Sequence, residues 1–205
     1  TFTLINDGNE YVVEDVVETG PNDAGEYTYS IRYTIDEDTK MSDGKITMLV
    51  TSIQDLAGNT TDDVEKPTNK HVVYLDTTAP SIKILGITGF ISENEDAHYI
   101  TYGKKVRVLT YFDEKLATNP IVKIGNKEFE TYYTEESSDL ENNSYAYYLD
   151  VAITEELGLS EGEIQFSVYG IRDLADNEGR AYTNADITYS EKQEYEKRFD
   201  KVILD

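Results

Sequence analysis

The side chains best placed to do chemistry occur twice at one spacing. Ile53-Gln54-Asp55-Leu56-Ala57-Gly58-Asn59 returns as Ile171-Arg172-Asp173-Leu174-Ala175-Asp176-Asn177, so an aspartate precedes an asparagine by four positions in both places. Carboxylate and amide oxygens are ligands for a hard cation such as calcium, which needs six to eight of them. The same residues also suit a strand-connecting turn, where Asp and Asn bond nearby backbone amides and tolerate left-handed conformations. Both readings stand at this point.

Other chemistry is thinly supported. His71 and His98 fall in strand-like stretches with no serine or cysteine nucleophile motif near them. Asp36-Glu37-Asp38 with Asp43-Gly44 lacks the spacing and closing glutamate of an EF-hand loop. A lysine crosslink is disfavoured because Lys45 is replaced by Glu163 in the second copy. Exposed aromatic rings stack on sugars, and Tyr132-Tyr133, Tyr147-Tyr148 and Tyr182 are the candidates. Neighbouring strand residues face opposite ways, so one tyrosine of each pair is expected in a core. No catalytic residues emerge, and the expectation is a protein that is not an enzyme.

These residues sit inside a longer repeat, and long-period self-similarity signals an array of like units. Tyr27–Asn59 aligns without a gap on Tyr145–Asn177, 118 positions later, keeping Tyr29/Tyr147, Ile35/Ile153, Gly44/Gly162, Ile46/Ile164 and Val50/Val168 in register. Val73-Tyr74-Leu75-Asp76 matches Val202-Ile203-Leu204-Asp205, and Ile5 to Tyr11 loosely resembles Ile124 to Phe129. Residues 77 to about 120 have no earlier partner. The division expected is therefore a module at 1–76 that lacks its opening strands and a complete module at 77–205. Thr77-Thr78-Ala79-Pro80 would be a short, semi-rigid hinge, since proline holds its predecessor extended and β-branched threonines restrict χ1.

The elements that carry the candidates read as strands. Tyr27 to Ile35 and Tyr145 to Ile153 alternate with period two, the mark of a sheet with one packed and one solvated face. Further strands are expected at 46–52, 71–75, 81–87, 104–112, 121–124, 128–133, 164–169, 182–189 and 201–204. Turns are expected at Asn6-Asp7-Gly8, Ser42-Asp43-Gly44 and Ser160-Glu161-Gly162. Ser190 to Lys197 is a charged stretch with a Ser-x-x-Gln start, read as an exposed helical insertion. About seven short strands per full repeat point to all-β, tandem immunoglobulin-like β-sandwiches, the first N-terminally incomplete.

Composition narrows the partners. With 41 acidic against 18 basic residues, the net charge of −23 argues against nucleic acid and anionic lipid, and favours cations and basic surfaces. No stretch has the roughly 18 to 20 apolar residues that cross a bilayer, so no membrane insertion is expected of this segment. Cysteine is absent, which rules out disulfides and thiolate zinc sites.

The Asp55–Asn59 turn, a spacer, the strand Val72–Asp76 and then Thr77-Thr78-Ala79-Pro80 together resemble the junction between tandem bacterial Ig-like domains of cell-surface and secreted proteins. The likeness covers the second module and the later part of the first. It implies an extracellular stalk, spacer or adhesion module whose partners are neighbouring repeats, with a host or cell-wall protein or glycan beyond them. It also implies calcium held between domains by Asp55, Asn59 and Asp76 at the internal junction, and by Asp173, Asn177 and Asp205 at the second, with Glu93 and Asp96 as further acids. The alternative is a carbohydrate-binding or accessory module of a secreted glycoside hydrolase. Asp176 departs from the pattern, which has glycine there.

Overall fold

The computed structural model describes residues 1–36, 38–65, 72–92, 95–187 and 201–205, with the side chains of 91–92 and 95–97 left aside. His71, Glu93 and the Ser190–Lys197 stretch lie outside the described residues, as does the Asp96 side chain. The protein is all-β, built of several largely antiparallel sheets, and divides into two compact units, Thr1–Thr78 and Ala79–Asp205. The division falls within the Thr-Thr-Ala-Pro stretch.

In the first unit, β1 (Phe2–Asn6), β2 (Asn9–Val12), β5 (Gly44–Val50) and β6 (Val73–Leu75) form a sheet of order β2-β1-β5-β6. Among the described residues, β3 (Asp15–Thr19) and β4 (Thr28–Arg32) form a two-stranded sheet of their own. Alternation marked β4 in the sequence; β3 reads DVVET, is exposed along its whole length, and carries no such signal. Only Thr3, Asn6 and Val13 are buried among the described residues of this unit. Asn6 is satisfied by donating Nδ2 to the carbonyls of Ser42 and Lys45 and accepting from the Ser42 amide.

The second unit has a true interior. Its larger sheet runs β13-β14-β10-β7-β8, made of β7 (Ile82–Ser92), β8 (Glu95–Ala97), β10 (Lys105–Phe112), β13 (Tyr132–Asp139) and β14 (Ser144–Ala152). A second sheet, β12-β11-β16-β17, contains β11 (Ile121–Ile124), β12 (Lys127–Glu130), β16 (Phe166–Tyr169) and β17 (Tyr182–Thr183). A third joins β15 (Gly162–Glu163) to β18 (Ile203–Leu204), which runs parallel to β9 (Tyr99–Ile100). Leu85, Val106, Val108, Phe112, Tyr147 and Leu149 from the first sheet meet Val122, Ile124, Phe166 and Val168 from the second in one apolar cluster, a sandwich-like arrangement. Glu128 to Tyr133, read as one strand, is broken at buried Thr131, whose amide and hydroxyl both donate to the Pro120 carbonyl. The 182–189 strand stops at Thr183, where a capped 3-10 turn begins and Asp186 accepts from the Thr183 amide.

Some pairings recur at corresponding positions of the two units. The β1–β2 hairpin pairs Thr3 with Val12 through Asn6 with Asn9, and 118 positions on Ile121 pairs with Glu130 through Ile124 with Lys127. Gly44 pairs with Leu75 as Gly162 pairs with Leu204. The single bridges Gln54 to Thr60 and Arg172 to Glu178 are likewise equivalent.

Candidate metal centre

Each Asp-x-Ala-x-Asn segment folds into the same turn. In the first unit Asp55 Oδ1 accepts the amides of Ala57 at 2.9 Å and Asn59 at 2.8 Å, and Oδ2 accepts the Asn59 side-chain amide at 2.7 Å. In the second unit Asp173 Oδ1 accepts the amides of Ala175 and Asn177 at 2.8 Å each, and Oδ2 the Asn177 side chain at 2.8 Å. The backbone closes both turns, from the Asp55 amide to the Asn59 carbonyl and from the Asp173 amide to the Asn177 carbonyl. Asp and Asn thus cap amides that a bend leaves without strand partners. The Asn59 side chain first, and its backbone amide second, hold the Asp55 carboxyl below its ordinary range.

What separates the turns is their cover. Asp55 is exposed, whereas Asp173 is 1% exposed. The cover is the loop that follows β10: Leu116 bridges to Asp173, and the Ala117 amide donates to the Arg172 carbonyl. That loop is fixed from below, because the Leu116 amide donates to the Tyr147 hydroxyl at 2.9 Å and Tyr147 lies edge-on against Phe112 at 5.7 Å. Among the described residues of the first unit, the Asp55 turn is exposed.

The same loop brings Glu114 to the turn. A carboxylate oxygen of Glu114 and one of Asp173 lie within 4.8 Å of each other, close enough to share one cation. Two carboxylates are hard, anionic oxygen donors that suit calcium and lack the nitrogen or sulfur that zinc sites favour. Asp173 retains acceptor capacity, since an ionised carboxylate offers about four lone-pair sites and three are engaged. The donors present therefore fit a hard divalent ion, though they supply only part of its coordination shell. Glu114 is not among the acids the sequence nominates, of which Glu93 and the Asp96 side chain lie outside the described residues. It has no repeat partner to mark it, and the only available signal was its place in the turn after the strongest apolar strand.

Asp76 follows β6 and accepts the Thr78 amide at 3.2 Å; Asp205 follows β18, is exposed, and donates its own amide to the Ile100 carbonyl. Asp43 accepts from the amide and hydroxyl of Thr77 and from the hydroxyl of Thr78. Those bonds, the Thr78 hydroxyl foremost, lower the Asp43 carboxyl below its usual range.

The candidate tyrosines divide between interior and surface. Tyr147 and Tyr182 are buried, and the Tyr182 hydroxyl accepts from the Ile82 amide at 3.1 Å. Tyr132 is exposed and tilts against Tyr148, which lies under the Arg107 guanidinium. An open groove of about 450 Å³ beside Ile121, Phe129 and Arg172 is bordered by Glu128, Glu130 and Glu178, and Arg172 is occupied by Asp176 and Glu178. Comparison with models of known protein families, with curated proteins and with solved structures finds no match.

Proposed function

We propose that the chain is a stretch of immunoglobulin-like modules acting, without catalysis, as a stalk, spacer or adhesion segment of an extracellular bacterial surface or secreted protein. The observation that carries this reading is the residue-level recurrence of hairpin, edge strand and Asp-Asn turn in two successive units. A repeated unit whose polar side chains are spent on turns and strand edges offers reach and surface, and it concentrates no reactive groups. Pinning of Thr77 and Thr78 to Asp43 supports a linker whose first half is part of the first unit. The acidic surface keeps exposed strand edges of neighbouring molecules apart by repulsion.

Calcium is part of the proposal. Asp173 and Glu114 would hold it. A bound divalent ion would neutralise these acids and hold the loop after β10 against the turn. Thermal melting in millimolar calcium against chelator tests this: the second unit should melt higher with calcium, and Asp173→Asn and Glu114→Gln should each weaken the response. Superimposable curves would remove calcium from the reading. A glycan array tests the wider claim, which expects silence; retention on one polysaccharide, abolished by Tyr132→Ala, would replace the spacer with a carbohydrate-binding module.

A further inference from the structure

A groove on the second unit carries charge that its fold does not require. Val122 and Ile124 of β11 are buried, so Ile121 faces outward, and Glu130, its cross-strand neighbour on β12, shares that face. Gly170 lies beside it, where a Cβ would rest on the Ile121 side chain at 3.8 Å, and its absence leaves the floor open. Arg172 and Glu178, joined by a single bridge, also line the groove, whose volume of about 450 Å³ falls in the range of ligand-holding clefts. At the matching positions 118 places earlier, Val12 stands for Glu130, Thr60 for Glu178 and Gln54 for Arg172. The hairpin pairing and the single bridge are nonetheless the same in both units, so neither acid is needed to close them.

We infer that this groove is a docking site for an extended basic segment of a partner protein, whose long cationic side chains lie along Ile121 and set their charged ends at Glu130 and Glu178. Both acids retain acceptor capacity, since an ionised carboxylate offers about four lone-pair sites. Glu130 accepts the Asn119 side chain at 3.2 Å, and Glu178 receives a long bond of 3.4 Å from Arg172, whose closer partner is Asp176 at 2.7 Å. Glu128, the third acid on the border, lies opposite Lys123. Among the described residues these three glutamates do not form a group tight enough to share one metal ion, so spaced cationic side chains match them where a single ion does not. Lysine and arginine bury their methylene stems on apolar surface while their charged heads stay in water, which suits an apolar floor with an exposed carboxylate rim. The net charge of −23 draws a basic partner toward the chain, and the groove selects where it lands. The site lies wholly within the second unit and stands whether or not the chain is a spacer or binds calcium.

The probes are labelled pentapeptides Lys-Val-Lys-Val-Lys and Gln-Val-Gln-Val-Gln, which when extended set alternate side chains on one side, titrated into the full chain. By fluorescence anisotropy the lysine peptide should bind, more weakly as salt rises, and the glutamine peptide should not. Glu130→Gln and Glu178→Gln, both isosteric changes at exposed positions, should each weaken binding about twofold to fivefold, the scale of one exposed ion pair. The double variant Glu135→Gln/Glu136→Gln removes two exposed acids from β13 and should leave binding unchanged. Amide chemical shifts should move at Ile121, Glu128–Glu130 and Gly170–Glu178. Equal binding of the two peptides overturns the inference. So does an equal loss in the β13 variant, which would make the attraction a property of the whole acidic surface. Shifts at the same amides with calcium alone overturn it as well, because a metal ion would then be the occupant.

Discussion

Truncating the same repeat position in each unit measures how far burial, and not sequence, sets the energetics. Ile153 is fully buried, and its amide and carbonyl bond Lys104 and Gly103 beside the start of β10; Ile35 is its equivalent and 39% exposed. Replacing isoleucine by alanine removes three carbons, a transfer loss of about 2.4 kcal/mol at ~0.8 kcal/mol per buried methylene. At Ile153 a closed cavity adds to this, for a total of about 3 to 4 kcal/mol. At Ile35 only roughly three fifths of the transfer loss applies and solvent already reaches the site, so about 1 kcal/mol is expected. In a unit the size of Ala79–Asp205, each kcal/mol lowers the melting point by about 3 to 5 °C, so Ile153→Ala should melt about 10 to 15 °C earlier. Differential scanning calorimetry on the full chain, with the transition assigned by amide exchange in each unit, reads both variants. Costs equal within about 0.5 kcal/mol would refute the argument that the second interior is closed and the first is open.

Two further outcomes follow from the hydrogen bonds. Tyr147→Phe removes the acceptor of the buried Leu116 amide and should cost about 1 to 3 kcal/mol by chemical denaturation; Tyr29→Phe should leave stability unchanged. Stability should also fall in acid, because Asp43, Asp55, Asp139, Asp186 and Glu156 all have lowered pKa values from the hydrogen bonds they accept, those to Thr78, Asn59, Asn142, Arg180 and Lys127 being foremost. A lowered folded-state pKa gives stability that is present above the ordinary carboxylate range and is lost as pH falls through the folded value. Denaturant midpoints should therefore hold from neutrality down to about pH 5 and decline below about pH 4, and a midpoint flat to pH 3 would contradict these bonds.

Much of the strand layout was legible because solvent on one side of a sheet forces alternation. That is why Tyr145 to Ile153 and Ile121 to Ile124 could be read directly; Tyr27 to Ile35 shows the same alternation, although its strand spans only Thr28–Arg32 and is exposed except at Ile31. β3 escaped because both its faces are wet, and the broken strand at Thr131 escaped because a buried threonine resembles a strand residue until its two bonds to Pro120 are seen. The candidate site divides in the same way. Asp55, Asn59, Asp173 and Asn177 were legible since turn chemistry is local and repeats. Burial of Asp173 and the approach of Glu114 were not, because both depend on a loop fixed from a distance by Tyr147.

The exchange of glycine for aspartate between the two turns shows which features govern ligand capacity. Gly58 and Asp176 occupy one repeat position at φ +91° and +76°, where a side chain is normally strained. A Cβ at Gly58 would meet nothing nearer than the Gln54 amide at 3.8 Å, so glycine there serves conformation and not close approach. The contrasting pair is Asp7 and Gly125 in the β1–β2 and β11–β12 hairpins. A Cβ at Gly125 would fall on the Leu157 carbonyl, which already receives the Asn126 amide, so that glycine is required by packing. Asp176 meets its conformational cost with an ion pair: Arg172 donates to it at 2.7 Å, at the position from which Gln54 donates to the Gly58 carbonyl at 3.1 Å. Both turns consequently keep their Asp–Asn bonds within about 0.1 Å of each other. Turn geometry cannot then be what distinguishes them toward a cation. Under the proposed calcium reading the difference would come from Glu114 and from exclusion of water by the loop above Asp173, since a charge-dense carboxylate pair attracts a divalent ion more strongly where solvent screens it less.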